Sequence, residues 1–258
     1  MNPTQHPESG RDSLMSPLDL LKKRGGFYQC PKGPDGRRLG PLVGYAGRYG
    51  KENRQYVGDI YVNFAMAERH SDLIGHFTSR LYVKLSSFRT KLIADDTGFI
   101  GAPLGGLALA AILAQEGEGQ YIFPEKKVTA VATPSSREES KLVFDRHQPG
   151  PGERWWIVED VCNNFSTTAH LVSLVEKTGA EVAGVACFLN RSTKVDASFE
   201  ARPGLVLPVV SLVRHPFEQY EQEDPFVADD ILAGNAVLKP KNDWARLEAA
   251  MAAAEPKA

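Results

Sequence analysis

Two neighbouring carboxylates, Glu159 and Asp160, end a short apolar run, Trp155-Trp156-Ile157-Val158. A stretch of small amide and hydroxyl side chains follows at once: Asn163, Asn164, then Phe165, Ser166, Thr167 and Thr168. Acids in this setting can accept hydrogen bonds from sugar hydroxyls or face Mg²⁺. Hydroxyls and free backbone amides at a helix start can hold a phosphate. A second candidate lies upstream, Gly101-Ala102-Pro103-Leu104-Gly105-Gly106, a small-residue turn in which glycine allows close approach of a ligand to backbone. By itself it is a weak signal, since many α/β proteins have such turns. Lys126 stands in a basic cluster, Pro124-Glu125-Lys126-Lys127, and Arg191 at the end of the apolar run Val182 to Leu189.

The elements around these residues explain how they could be presented. The run at 155–158 reads as a strand. Leu171, Leu174 and Val175 share a helical face that ends at Gly179, and Val182 to Leu189 is a second strand. Together they form one βαβ unit, whose functional loop lies at the carboxyl end of the first strand. Elsewhere, Ser16-Pro17 starts a helix that ends at Gly25-Gly26, and 30–50 reads as loops and short strands. Arg37, Arg38, Arg48 and Lys51 are there either as a solvated surface or as an anion-facing flap. Residues 56–63 read as one strand and 72–86 as a helix. A strand from 97 leads into the turn and then a helix over 107–115. Residues 124–150 read as a long hairpin. Leu205 to Leu212 is a strand interrupted by Pro208 and therefore expected at an edge, and an Ala-rich helix closes the chain.

Val158-Glu159-Asp160-Val161 resembles the phosphoribosyl diphosphate (PRPP) signature of the type I phosphoribosyltransferases. The turn at 101–106 resembles their pyrophosphate loop, and Phe144 to Arg154, with Pro151-Gly152-Glu153-Arg154, resembles the return strand that leads into the signature. The resemblance covers about 16–245, is strongest to the orotate enzymes, and keeps the family's order of segments. It implies an open, mostly parallel sheet of about five strands with helices on both faces, plus a small hood. The domain expected is a single one over 16–258, with the hood drawn from about 16–65 and 205–245, behind a disordered tail at 1–15. The activity implied is transfer of ribose 5-phosphate from PRPP to a base such as orotate, with Mg²⁺ carried by PRPP rather than held by a protein metal site.

The same resemblance assigns Glu159 and Asp160 to the ribose hydroxyls and Lys126 to the leaving diphosphate. The backbone of 102–106, including Ala102, Leu104, Gly105 and Gly106, is assigned to that diphosphate as well. Asn163, Asn164, Phe165, Ser166 and Thr167 fall at the 5′-phosphate, and Arg191 at the base. A homodimer is implied, because the family's flexible loop serves the neighbouring site. The chain departs from the pattern in several places. Asn163-Asn164 replace a Thr pair, Phe165 replaces a glycine, and Asn190 replaces an Asp before Arg191; the loop Lys-x-His is also absent, with Arg137, Lys141, Arg146 and His147 as substitutes. Three outcomes stay open: an active transferase, an enzyme of the same fold with another substrate, and a binder that no longer catalyses. Phe165 turned away from free backbone amides favours the first; Phe165 filling the pocket favours the others.

Bulk properties agree with a soluble α/β enzyme. The chain has 258 residues, 42% hydrophobic and 24% charged, with a net charge of −2. That charge gives no support to a nucleic-acid or acidic-membrane partner. Cys30, Cys162 and Cys187 are too scattered for a disulfide framework or zinc site, and a cytoplasmic setting is expected. No apolar run approaches the ~20 residues of a membrane span.

Overall fold

The computed structural model describes residues 15–87, 97–130 and 139–254. The tail expected at 1–15 falls almost wholly outside them, as does Arg137. The chain divides into two compact units, Met1–Arg69 with Phe217–Ala258, and His70–Pro216.

The second unit contains a six-stranded sheet in the order β11-β12-β10-β9-β5-β6. Its strands are β5 (Thr97–Gly101), β6 (Tyr121–Ile122), β9 (Arg154–Cys162), β10 (Glu181–Asn190), β11 (Ser198–Arg202) and β12 (Leu205–Arg214). Five of them, β12-β10-β9-β5-β6, are parallel, and β11 adds antiparallel to β12. Strands in such a sheet are buried on both faces, so β9 and β10 read as near-continuous apolar runs. Alternation divides them. Phe188 stacks towards Phe77 of helix α3 (Ser71–Ser86), ring centroids 4.6 Å apart, whereas Cys187 joins the cluster around Phe165 at the start of helix α5 (Ser166–Glu176). Helix α4 (Gly106–Glu116) packs against α3, β5 and β9. The large rings of β9 need small neighbours. Trp155 lies flat on Gly98 of β5 and Trp156 on Gly184 of β10, where any Cβ would overlap the rings.

The expected edge position of Leu205 to Leu212 is corrected: β12 lies inside the sheet, between β11 and β10. The proline is tolerated because the pairing with β10 begins only at Val209, one residue after Pro208. The start of the expected second hood segment is thus part of this sheet. A separate hairpin, β7 (Glu125–Ala130) with β8 (Glu139–Val143), fills the stretch expected to be one.

The first unit holds helix α1 (Pro17–Lys23), which Ser16 caps by accepting from the Asp19 amide, as its Ser-Pro start implies. It also holds two small sheets, β1 (Phe27–Gln29) with β4 (Ile60–Val62), and β13 (Ala236–Val237) with β2 (Leu42–Tyr49) and β3 (Arg54–Gly58). Two readings change here. The stretch 30–50 contains an eight-residue strand, β2. The strand read over 56–63 is broken at Asp59, so that β3 and β4 belong to different sheets. Asp59 has a structural task. With Asp230 it holds the guanidinium of Arg38, which also donates to the Phe226 carbonyl. Arg38 is therefore an internal clamp between distant segments of this unit, not part of an anion-facing flap. Short helices α2 (Ala65–Glu68) and α6 (Ala228–Leu232) and the closing helix α7 (Trp244–Ala254) complete the described elements.

Candidate active site

β5 and β9 run side by side until β5 ends at Gly101, opposite Val158, while β9 continues to Cys162. The turn after β5 therefore meets the acids that follow Val158 on β9. The Ala102 amide donates to the Val158 carbonyl at 2.9 Å. Gly105 lies against the side chain of Asp160, where a Cβ would be 2.6 Å from Oδ1 and nearer still to the rest of the carboxylate. Gly106 lies against the backbone of Val158 and Glu159, with the Val158 carbonyl carbon 2.9 Å and the Glu159 Cα 3.2 Å from a built Cβ. Only glycine permits this contact. Two stretches more than fifty residues apart in sequence thus form one surface at the carboxyl end of the parallel strands, where open α/β sheets bind their ligands.

Within the turn the amides are divided. Those of Ala102 and Gly106 are used, by the Val158 and Ala102 carbonyls, and Pro103 has none. Leu104 and Gly105 keep amides with no acceptor among the described residues. The expectation that all of 102–106 offers backbone donors is narrowed to these two. The Pro103–Leu104 peptide is cis, and the Leu104 side chain is exposed.

The acid pair is electrostatically tense. The Glu159 carboxyl is pushed well above the usual carboxylate range, first by burial, then by the charge of Asp160 beside it and the hydrogen bond between them. Its Oε2 is buried with no hydrogen-bond partner among the described residues. Asp160 is oriented in part by its own neighbour, Oδ1 accepting from the Val161 amide at 2.8 Å. A buried carboxylate oxygen without a donor is costly unless something supplies one. A ligand hydroxyl or a cation does so. Among the described residues no group of three or more His, Cys, Asp or Glu could hold a metal. Two carboxylates do fit a Mg²⁺ whose remaining ligands are phosphate oxygens and water.

After β9 the chain turns through 163–165 into α5. Asn164 Oδ1 accepts from both the amide and the hydroxyl of Ser166. The amides of Thr167 and Thr168 have no acceptor among the described residues, as expected for a first helical turn, and the α5 dipole adds to their pull on an anion. Phe165 is the N-cap, in the left-handed region at φ 56° and ψ 19°. That is the backbone a glycine would supply. Its ring is not in the ligand-facing turn. It is buried, packed with Cys162, Val185, Cys187 and Val209 and stacked on Phe199 at 4.8 Å between centroids.

Arg191 follows β10 directly and is buried at 7% exposure. Its amide donates to the Cys162 carbonyl, which ties it beside the end of the acid-bearing strand. Asn190 is turned to a structural use. Its Nδ2 donates to the Val195 and Asp196 carbonyls, and its Oδ1 accepts from the Ser192 amide. Lys126 is the site residue not brought into this cluster: it is exposed on β7, paired across from Leu142. Leu142 itself packs with Ala102, Ile157 and Leu171, so the hairpin is seated on the layer beneath the site. Of the proposed substitutes, Arg146 pairs with Glu125. All three cysteines are buried and free. The Cys162 thiol is pushed well up, by its hydrogen bond to Cys187 and then by burial. What sequence reasoning missed is Phe199, the partner of Phe165. It is thirty-four residues away in an ordinary alternating strand, and nothing local marks it.

No protein-family model matches the chain. A curated orotate phosphoribosyltransferase from Caldanaerobacter subterraneus subsp. tengcongensis is 26% identical over 167 residues, 64% of this chain and 75% of that protein. Among solved structures, an orotate phosphoribosyltransferase from Aeropyrum pernix superposes with a TM-score of 0.51 at 19% identity, over 76% of this chain and 92% of that one. The chain has the type I phosphoribosyltransferase fold. An adenine phosphoribosyltransferase from Saccharomyces cerevisiae superposes almost as well, TM-score 0.50 at 15% identity, over 76% of this chain and 98% of that one. The likeness is thus to the type I phosphoribosyltransferases, and in sequence to an orotate enzyme among them.

Proposed function

We propose that this protein is a phosphoribosyltransferase of the orotate type, transferring ribose 5-phosphate from PRPP to a pyrimidine base with release of diphosphate. The observation that carries the proposal is the contact of Gly105 and Gly106 with Asp160 and Glu159 at the carboxyl ends of β5 and β9. It sets two kinds of group side by side: carboxylates for a sugar diol, and free amides at Leu104 and Gly105 for a diphosphate. The first turn of α5, next in the chain, offers the amides of Thr167 and Thr168 to the 5′-phosphate. The outward-free loop and inward Phe165 support a working phosphate site and weaken the reading of a binder that has lost catalysis.

In this reading the base attacks C1 of the ribose as diphosphate departs, and positive charge grows on the sugar. The protein's part is position and charge. Asp160 and Glu159 hold the ribose hydroxyls and stabilise the developing cation. Burial and Asp160 disfavour the charged form of Glu159, and a diol hydroxyl or a cation at its buried oxygen offsets this. Glu159 and Asp160 would hold a Mg²⁺ brought by PRPP, which would supply neutralisation of the diphosphate charge. Lys126 reaches the leaving diphosphate from the hairpin, in a homodimer the one of the neighbouring site. Arg191 is the group for an anionic base. The orotate choice draws on the curated relative and on this arginine, and the reaction belongs in a cytoplasmic setting.

Calorimetry with PRPP and Mg²⁺, followed by diphosphate release on adding orotate or adenine, tests this. Binding in the micromolar range and turnover with orotate are expected, with turnover lost in Asp160→Asn. Turnover with adenine alone would replace the base assignment. Binding without turnover on any base would establish a non-catalytic binder, and no binding would end the PRPP reading.

A further inference from the structure

The phosphate turn of this chain is built without the glycine that a left-handed residue at its centre favours. Phe165 adopts φ 56° instead, a conformation that strains a bulky residue by about 1–3 kcal/mol unless its surroundings enforce it. The enforcement is visible. The ring is 3% exposed, enclosed by Cys162, Val185, Cys187 and Val209, and stacked on Phe199 with an interplanar angle of 27°. Phe199 is only half-buried and lies on β11, at the antiparallel edge of the sheet. The segment that leads to it begins at Arg191 and is braced throughout. Asn190 binds the Val195 and Asp196 carbonyls, Ser192 accepts from the amides of Lys194 and Val195, and Arg214 pairs with Asp196.

We propose that Phe199 is a positioning residue for the 5′-phosphate: its stack on Phe165 locks the left-handed turn so that the amides of Thr167 and Thr168 are held ready for the phosphate. This rests on the phosphoribosyltransferase reading and goes beyond it, since it assigns the specificity for a phosphorylated ribose to an aromatic pair. Without the stack the turn relaxes towards right-handed backbone, in which the same amides diverge. The phosphate-binding form then becomes a fraction of the population, and apparent affinity falls by that fraction. An aromatic pair is worth about 0.5–1.5 kcal/mol beyond its buried area, which corresponds to a loss of roughly two- to twelvefold in affinity. The diphosphate loop, Leu104 and Gly105, is supported by Val158 and Asp160 instead and is independent of Phe199.

The test is calorimetric titration of the full chain with PRPP·Mg²⁺ and, separately, with Mg²⁺-diphosphate. Phe199→Ala is expected to weaken PRPP by roughly two- to twelvefold and to leave diphosphate within about twofold, with Phe199→Tyr restoring PRPP affinity because the ring face is kept. Should Phe199→Ala not fold, Phe199→Leu, which keeps most of the volume and loses the ring, is expected to show the same split. Unchanged PRPP affinity, or equal loss for both ligands, overturns the proposal, the latter marking a merely structural residue. Wild-type protein that binds diphosphate but not PRPP, or neither, overturns the PRPP reading itself, and this inference with it.

Discussion

Adding one methyl group at Gly106 and, separately, at Gly105 gives two different failures if the site is built as described. At Gly106 a Cβ would be 2.9 Å from the Val158 carbonyl carbon and 3.2 Å from the Glu159 Cα, with the Val158 oxygen closer still. Carbon contacts need about 3.5–4.0 Å, so turn and strand must separate by roughly 1 Å. The neighbours are backbone and cannot rotate aside. Overpacking of this kind costs about 1–3 kcal/mol, or some 2–10 °C of melting temperature for a chain of this size. A shift of about 1 Å between catalytic groups also lowers turnover by up to about a hundredfold.

At Gly105 the obstacle is the Asp160 carboxylate, the end of a side chain that can turn away. Gly105→Ala is therefore expected to keep the melting temperature within about 2 °C and still lose turnover, because the rotated carboxylate no longer faces the ribose. Thermal unfolding with a diphosphate-release assay, run on both variants, distinguishes the two. Wild-type stability and activity in Gly106→Ala would refute the contact on which the site is built. Full activity in Gly105→Ala would show that Asp160 is not poised as the geometry implies.

Other expectations concern charge and loop structure. Glu159 has a folded pKa raised above its ordinary value of 4.5, so the folded state holds its proton more tightly than the unfolded chain. Stability linked to this group is full below 4.5 and declines as pH rises towards the folded value. Denaturant midpoints against pH should lose that component in Glu159→Gln, and a midpoint profile identical to wild type would refute it. Arg38→Ala leaves Asp230 without its cation and Asp59 with Lys32 alone, and should destabilise the first unit by about 2–3 kcal/mol in urea unfolding. The Asp59 carboxyl is raised by burial but more strongly lowered by Arg38 and Lys32, for a net depression, so this contribution is lost only as pH falls below about 3.8. Asn190→Asp, although it restores the residue usual before the arginine in orotate enzymes, replaces two donors by an acceptor facing the Val195 and Asp196 carbonyls. A loss of about 1–3 kcal/mol is expected, and hydrogen exchange at 191–196 should rise; unchanged exchange would refute the bracing role.

Local pattern was enough for much of this molecule. The apolar runs at 155–158 and 182–189, the helical face of Leu171 and Val175, the Ser16-Pro17 cap and the small residues at 101–106 each act within a few residues, so their elements can be read from spacing alone. The βαβ unit they make agrees with the parallel sheet with helices on both faces that the family resemblance implied. The acid pair was visible for the same reason, because it ends the apolar run, although the strand itself continues through it to Cys162. Other features depend on residues far apart in the chain. β12 could be recognised as a strand but not placed, because Pro208 marks an edge only if both neighbours pair at its own position, and here β10 pairs from Val209 onward. Asn190 read only as a departure from the Asp usual before the arginine and is a loop brace, since its partners lie five and six residues on, in a turn with no local signature. Arg38 looked like a surface cation and is clamped by Asp230, nearly two hundred residues away. The same holds for Phe165. Sequence could say that a bulky residue replaced a glycine, but only the folded chain, by bringing Phe199 from β11 against its ring, decided that the side chain turns inward and leaves the backbone amides to face a ligand.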